Sequence, residues 1–119
     1  MSAQEQAAAA KKVGNGFYAK KEYEKAIEQY TKAIGLWDKD HSYFSNRSAC
    51  YAEIGKYEEA LDDGKQCVSL KPDWAKGYGR VGLALFKLGK VDEAKKSYED
   101  GMYSVPSVYC MLCTLKKRF

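Results

Sequence analysis

Two cations stand one helical turn apart in the stretch from Asp73 to Arg80, which reads DWAKGYGR. If this stretch opens a helix, Lys76 and Arg80 lie on the same face, because residues four apart are neighbours on a helix surface. Charge-assisted hydrogen bonds are among the strong ones, so two fixed cations in register would hold a carboxylate well. Most Lys/Arg pairs at this spacing only form a solvated helix face. The choice between the two interpretations depends on what the rest of the chain places beside this pair.

The composition is that of one globular domain. The chain has 119 residues, of which 45% are hydrophobic and 30% charged, and its net charge is +4. This charge is too mild for a committed nucleic-acid binder, but it suits acidic partners. We find no apolar run of the length needed for a signal peptide or a membrane span. We therefore expect a cytoplasmic protein that does not bind nucleic acid or membranes.

Small residues recur along the chain at a step of 34 residues. They form two series, which are Ala26, Ala60 and Ala94, and Gly14, Ser48 and Gly82. Small side chains at fixed positions let paired helices cross closely, where a larger side chain would push them apart. A period of about 34 residues with this pattern is the signature of tetratricopeptide repeats, each of which is a helix–turn–helix unit.

The repeat predicts an all-α fold of three helical hairpins that form a right-handed superhelical solenoid. The predicted helices span residues 6–20, 23–36, 41–54, 57–70, 75–88 and 91–104. We expect a three-repeat domain over 1–106, with repeats at about 7–40, 41–74 and 75–106. A capping helix that starts at Ser107, followed by a tail, would occupy 107–119 and cover the end of the third repeat. In such a solenoid the first helix of each pair lines the concave side, so binding residues are expected on those helices.

Three segments resemble one particular branch of this family. They are KKVGN at residues 11–15, SNRSA at 45–49 and KPDWAKGYGR at 71–80. Together they look like the tetratricopeptide-repeat domains of heat-shock co-chaperones, above all the N-terminal one of the Hsp-organising (Hop) type. The small glutamine-rich and phosphatase types share much of the pattern. The resemblance covers residues from about 7 to 106.

The resemblance implies a function and a set of site residues. In this family a two-carboxylate clamp holds the last aspartate of an acidic tail that ends in Glu-Glu-Val-Asp, found on cytosolic seventy- and ninety-kilodalton chaperones. The matching positions in this chain are Lys11, Asn15, Asn46, Lys76 and Arg80. Ala49 and Leu83 could accept the apolar side chain before the aspartate, or they could be plain packing residues. Glu53, one turn beyond Ala49, would repel a glutamate upstream in such a ligand.

None of the other motifs in the sequence predicts an enzymatic activity. Gly77-x-Gly79-x-x-Gly82 matches a dinucleotide-binding fingerprint, but the βαβ unit that this fingerprint needs is absent. Cys110 and Cys113 form a CxxC without the setting of a redox motif. Four cysteines with a single histidine and no second CxxC argue against a structural zinc site. We therefore predict no catalytic residues, no metal and no cofactor.

Two classes of function remain open at this point. The first is a peptide-binding adaptor that captures chaperone C-termini and is mostly monomeric. The second is a tetratricopeptide-repeat scaffold that binds another protein, or itself, through the convex face or the C-terminal helix. Cys50 and Cys67 fall on core positions of the repeat and are expected to be buried hydrophobic residues in either case.

Overall fold

Six helices follow one another along residues 1–104, the part of the chain that the computed structural model describes, and no strand occurs within it. The helices are α1 (Ala3–Ala19), α2 (Tyr23–Leu36), α3 (His41–Glu53), α4 (Tyr57–Leu70), α5 (Ala75–Lys87) and α6 (Val91–Ser104). The predicted all-α class and its helical hairpins are therefore confirmed. The capping helix and tail predicted for 107–119 lie outside the described residues. None of the six helices is both long and apolar enough to cross a membrane.

Helix α1 starts one turn earlier than the repeat pattern predicts. The prediction begins at residue 6, whereas the helix begins at Ala3 with Ser2 as its N-cap. The Glu5 backbone N–H donates to Ser2 Oγ at 3.2 Å, and Ser2 Oγ donates in turn to Glu5 Oε1 at 3.1 Å. A serine followed three residues later by glutamate satisfies free N–H groups at a helix start. The other five helices begin at the predicted residues, because each follows a turn that recurs with the repeat.

The turn inside each hairpin uses a left-handed backbone residue at the same repeat position. Lys21 has φ 62°, Gly55 has φ 83° and Gly89 has φ 85°. Glycine adopts this conformation without the steric cost that a Cβ brings, so Gly55 and Gly89 suit their turns. Lys21 takes the same conformation with a side chain, and the first hairpin turn is therefore the strained one of the three.

Close packing between paired helices explains the small residues of the repeat. The three repeat alanines are all buried, at 2% exposure or less, namely Ala26, Ala60 and Ala94. A Cβ placed on Gly14 would lie 2.8 Å from Cε1 of Tyr30, and one on Gly82 would lie 2.8 Å from Cζ of Tyr98. In the first and third hairpins a glycine on one helix thus receives a tyrosine ring from the other.

The second hairpin is held by polar contacts instead. Ser48 replaces the glycine and donates from Oγ to the Ala60 carbonyl at 2.7 Å. Arg47 forms a two-pronged ion pair with the buried Asp63, from Nη2 to Oδ1 at 2.7 Å and from Nε to Oδ2 at 2.8 Å. Arg47 Nη1 also donates to Thr31 Oγ1 at 3.1 Å. This guanidinium therefore links α2, α3 and α4, and its positive charge is paired with Asp63 within the fold.

Cys50 and Cys67 are fully buried, as the repeat predicts. Burial raises the pKa of the Cys50 thiol to about 12 and that of Cys67 to about 11. Because the thiolate is the reactive form, both side chains act as small apolar residues at neutral pH. Within residues 1–104 no group of His, Cys, Asp or Glu side chains is arranged to hold a metal ion.

Candidate functional site

A pocket of about 200 Å³ brings the first helices of the three hairpins together. Its lining comes from α1, α3 and α5, with one side chain from α2. The lining residues, called the pocket below, are Asn15, Tyr18, Tyr30, Asn46, Ala49, Lys76 and Arg80. Four of the five predicted carboxylate-binding residues and one of the two predicted groove residues therefore meet at one place.

The two amides of the pocket are oriented by hydrogen bonds. Asn15 Oδ1 accepts from the Tyr30 hydroxyl and from Asn46 Nδ2, the latter at 3.3 Å. Burial raises the pKa of Tyr30 to about 12, so its hydroxyl keeps its proton at neutral pH and remains a donor. With its oxygen occupied in this way, Asn15 has its Nδ2 group left to donate to a ligand. The pocket therefore presents directional N–H donors beside its cations.

The two cations of the pocket come from α5, and each contacts a neutral side chain. Lys76 is exposed, and its Nζ lies 5.8 Å from the centre of the Trp74 ring. Arg80 is half-buried and donates from Nε to Oγ of the fully buried Ser45 at 3.2 Å. Neither side chain forms an ion pair within residues 1–104. Lys76 also lies in the first turn of α5, where the helix dipole disfavours a cation and favours an anion.

Two predicted residues lie outside the pocket lining. Lys11 is one turn before Asn15 on α1, and its Nζ lies 5.9 Å from the centre of the Tyr43 ring. Leu83 is half-buried on α5 and does not line the pocket. The proposed contact of Leu83 with the apolar side chain of a ligand therefore stays a prediction.

Three contributors to the site were missed by sequence reasoning. Ser45 orients Arg80, Tyr30 orients Asn15, and Tyr18 lines the pocket from α1. Ser45 directly precedes Asn46 in the SNRS motif, so its position beside a predicted donor was a usable signal. The contacts of the two tyrosines depend on how α1 packs against α2 and α3, which the sequence pattern does not specify.

The chemistry that this arrangement supports is anion binding. Every charged group in the lining is a cation, and the lining contains no His, Cys, Asp or Glu. Fixed cations together with amide N–H donors match a carboxylate, which only accepts hydrogen bonds. The pocket has no pair of side chains that could work as nucleophile and base.

Comparison with known proteins identifies the family. The chain matches the tetratricopeptide repeat over residues 41–73 and 75–104, which is just over half of its length. The chain belongs to the tetratricopeptide-repeat family. This family is a protein-interaction fold and not a class of enzymes.

Relatives of this tetratricopeptide-repeat chain include co-chaperones. It is 51% identical over 89 residues to the heat shock protein sti1 homolog of Schizosaccharomyces pombe, covering 75% of this chain and 15% of that protein. It is 48% identical over 93 residues to the Hsp70-Hsp90 organizing protein 3 of Arabidopsis thaliana, covering 78% and 17%. The predicted resemblance to co-chaperones of the Hop type is thus confirmed. The chain spans about a sixth of the length of these relatives.

Solved tetratricopeptide-repeat domains share the same fold over nearly the whole chain. The second such domain of human RPAP3, in complex with the HSP70 peptide SGPTIEEVD, has a TM-score of 0.85 and 35% identity, covering 98% of this chain and 97% of that one. The second domain of Spaghetti (RPAP3), bound to the HSP90 peptide SRMEEVD, has a TM-score of 0.81 and 38% identity, covering 84% and 93%. The helical solenoid described above is therefore shared with domains that bind peptides.

Proposed function

We propose that this domain is a co-chaperone adaptor whose pocket captures the acidic C-terminal tail, Glu-Glu-Val-Asp, of cytosolic seventy- and ninety-kilodalton chaperones. The observation that carries this proposal is the convergence of Asn15, Asn46, Lys76 and Arg80 from three helices on one pocket. The peptides in two similar domains end in the same four residues, which gives independent support.

A C-terminal aspartate fits the pocket because it carries two carboxylates on one residue. Lys76 and Arg80 would supply charge, and the Asn15 and Asn46 amides would supply directional donors. Hydrogen bonds to charged groups contribute roughly 1.5–3 kcal/mol each, although these contributions do not add simply. Ordering a flexible tail costs several kcal/mol, so we expect a Kd in the micromolar range, or about −8 kcal/mol.

Lys11 completes the proposed clamp from the edge of the pocket. Its ammonium group lies over the Tyr43 ring, and it forms no ion pair among residues 1–104. Since a lysine side chain has several rotatable bonds, it can turn from the ring toward a bound carboxylate. A cytosolic location belongs to the same proposal, because the proposed partners are cytosolic.

Alanine variants of the two α5 cations test this function. With a labelled SGPTIEEVD peptide, Lys76→Ala and Arg80→Ala should each weaken binding at least tenfold, or about 1.4 kcal/mol. Lys32→Ala is the matched control, because Lys32 is an exposed lysine of α2 outside the pocket. It should bind like the parent, and circular dichroism should show equal helix content in all variants. Unchanged affinity in both cation variants would refute the clamp.

A further inference from the structure

The two cations of the pocket are placed by different kinds of contact. Arg80 is fixed by a hydrogen bond to a buried serine of α3. The exposed Lys76 instead has its Nζ over the Trp74 ring, 5.8 Å from the ring centre. Asp73, the acidic residue nearest to Lys76 in the sequence, forms its ion pair with Lys71, at 3.7 Å. The Trp74 ring is therefore in a position to hold the Lys76 ammonium group.

The Trp74 ring is itself anchored to the start of α3. It makes an edge contact with His41, the first residue of α3, with centroids 4.6 Å apart and planes at 74°. The Trp74 backbone N–H donates to the Lys71 carbonyl at 3.2 Å, and the Trp74 carbonyl accepts from the Gly77 N–H at 3.1 Å. Trp74 is half-buried and does not line the pocket. Its contact with His41 joins the beginning of α5, which carries Lys76, to the helix that supplies one of the pocket amides.

We infer that Trp74 is a positioning residue of the site, whose ring holds the Lys76 ammonium group in place for a ligand carboxylate. This inference rests on the proposed function, in which Lys76 binds a carboxylate of the last residue of the ligand. A cation over the face of an aromatic ring is attracted by the negative charge of that face, and tryptophan gives the strongest attraction. An ammonium group has three N–H donors, so the ring can cover one side of it and leave the other side free to bind the ligand. Trp74 would thereby reduce the side-chain freedom that Lys76 loses on binding.

Two replacements of Trp74 separate the aromatic ring from the bulk of the side chain. Trp74→Phe keeps an aromatic face beside Lys76, whereas Trp74→Leu keeps apolar volume without one. With the labelled SGPTIEEVD peptide, Trp74→Leu should weaken binding about threefold to fivefold, which converts to about 0.6–1 kcal/mol, and Trp74→Phe should stay within about twofold of the parent. Lys25→Ala is the matched control, because Lys25 also lies 5.8 Å from the centre of an aromatic ring, that of Phe17, but outside the pocket. It should bind like the parent.

A double-mutant cycle with Lys76→Ala shows whether Trp74 acts through Lys76. In the Lys76→Ala background the ring has no ammonium group to hold, so Trp74→Leu should change the affinity by less than about twofold. A larger effect in that background would overturn the inference, because Trp74 would then act on α5 as a whole and not on Lys76. Equal weakening by Trp74→Leu and Trp74→Phe in the parent background would also overturn it, because the aromatic face would then not matter.

NMR of the unmodified domain tests the contact without any substitution. The ring current of Trp74 shields protons that lie over its face, so the side-chain methylene protons of Lys76 should resonate at higher field than those of Lys32, an exposed lysine of α2. Equal chemical shifts for the two lysines would overturn the inference even if a Trp74 variant failed to fold.

The same measurements separate this inference from the proposed function. If Lys76→Ala alone leaves the affinity unchanged, the proposed role of Lys76 is refuted and the role of Trp74 with it. If Lys76→Ala weakens binding and Trp74→Leu does not, only the role of Trp74 is refuted. Circular dichroism should show equal helix content in every variant, so that a loss of affinity reports a change at the site and not unfolding.

Discussion

Replacing Gly14 with alanine places a methyl group in space that the Tyr30 ring occupies. The new Cβ would lie 2.8 Å from Cε1 and 3.1 Å from Cδ1 and Cζ of Tyr30, and this ring is 1% exposed, so it has little room to move. Such overpacking costs about 1–3 kcal/mol. Gly16→Ala is the matched variant on the same helix, because a Cβ at Gly16 meets nothing within 4 Å.

The comparison of the two variants isolates the packing cost. Alanine has a higher helix propensity than glycine by about 1 kcal/mol, and this gain is common to both substitutions. Gly16→Ala should therefore be more stable than the parent, and Gly14→Ala should be less stable than Gly16→Ala by about 1–3 kcal/mol. In urea titrations followed by circular dichroism, with slopes of roughly 1–2 kcal/mol per M, the midpoints should differ by at least about 0.5 M.

The same variant links the fold to the site. A displaced Tyr30 would no longer hold Asn15 Oδ1, and a hydrogen bond of this kind contributes about 0.5–1.5 kcal/mol. Gly14→Ala should therefore weaken tail-peptide binding about twofold to tenfold, whereas Gly16→Ala should leave it unchanged. Equal stability and equal affinity of the two variants would show that the Tyr30 ring does not limit the space next to Gly14.

Four further substitutions have definite expected outcomes. In denaturant titration, Lys21→Gly should raise the free energy of unfolding by about 1 kcal/mol, because glycine adopts the left-handed backbone conformation of this position without steric cost. Gly55→Ala should lower the free energy of unfolding for the same reason. A change of the same sign in both variants would contradict the turn assignment. Asp63→Ala should lower the free energy of unfolding by about 3 kcal/mol or more, because it leaves the Arg47 guanidinium without its buried partner. A loss below about 1 kcal/mol would show that this ion pair does not stabilise the second hairpin. Glu53→Gln should tighten the binding of a Glu-Glu-Val-Asp peptide about twofold at low salt, since like charges about 10 Å apart in water repel by about 0.4 kcal/mol. Weaker binding in calorimetry would show that Glu53 does not repel the ligand.

Most of the helical architecture follows from the 34-residue step. The repeat positions of Ala26, Ala60 and Ala94 are all buried, and five helices begin where the pattern predicts. The start of α1 was missed because it depends on a local cap at Ser2, which lies before the first repeat residue. Periodicity describes what the repeats share, so features of one repeat alone escape it.

The same limit applies to the site. Helical spacing is enough to place Lys76 and Arg80 on one face. The prediction that Asn15 and Asn46 lie near these two cations came from a family resemblance and not from spacing. The Arg47–Asp63 ion pair was invisible in the sequence, because it joins two helices whose mutual rotation is set by packing. Tyr18 was missed for that reason too, because its place in the pocket depends on how α1 packs against the neighbouring helices.

Calorimetry with three versions of one peptide tests the two-carboxylate clamp most directly. The first version is SGPTIEEVD with a free C-terminus, the second has its α-carboxylate amidated, and the third has asparagine in place of the last aspartate. If the pocket holds both carboxylates, each change should weaken binding at least tenfold, or about 1.4 kcal/mol. Equal affinity for all three peptides would contradict the account, because it would mean that neither carboxylate is held by the pocket of Asn15, Asn46, Lys76 and Arg80.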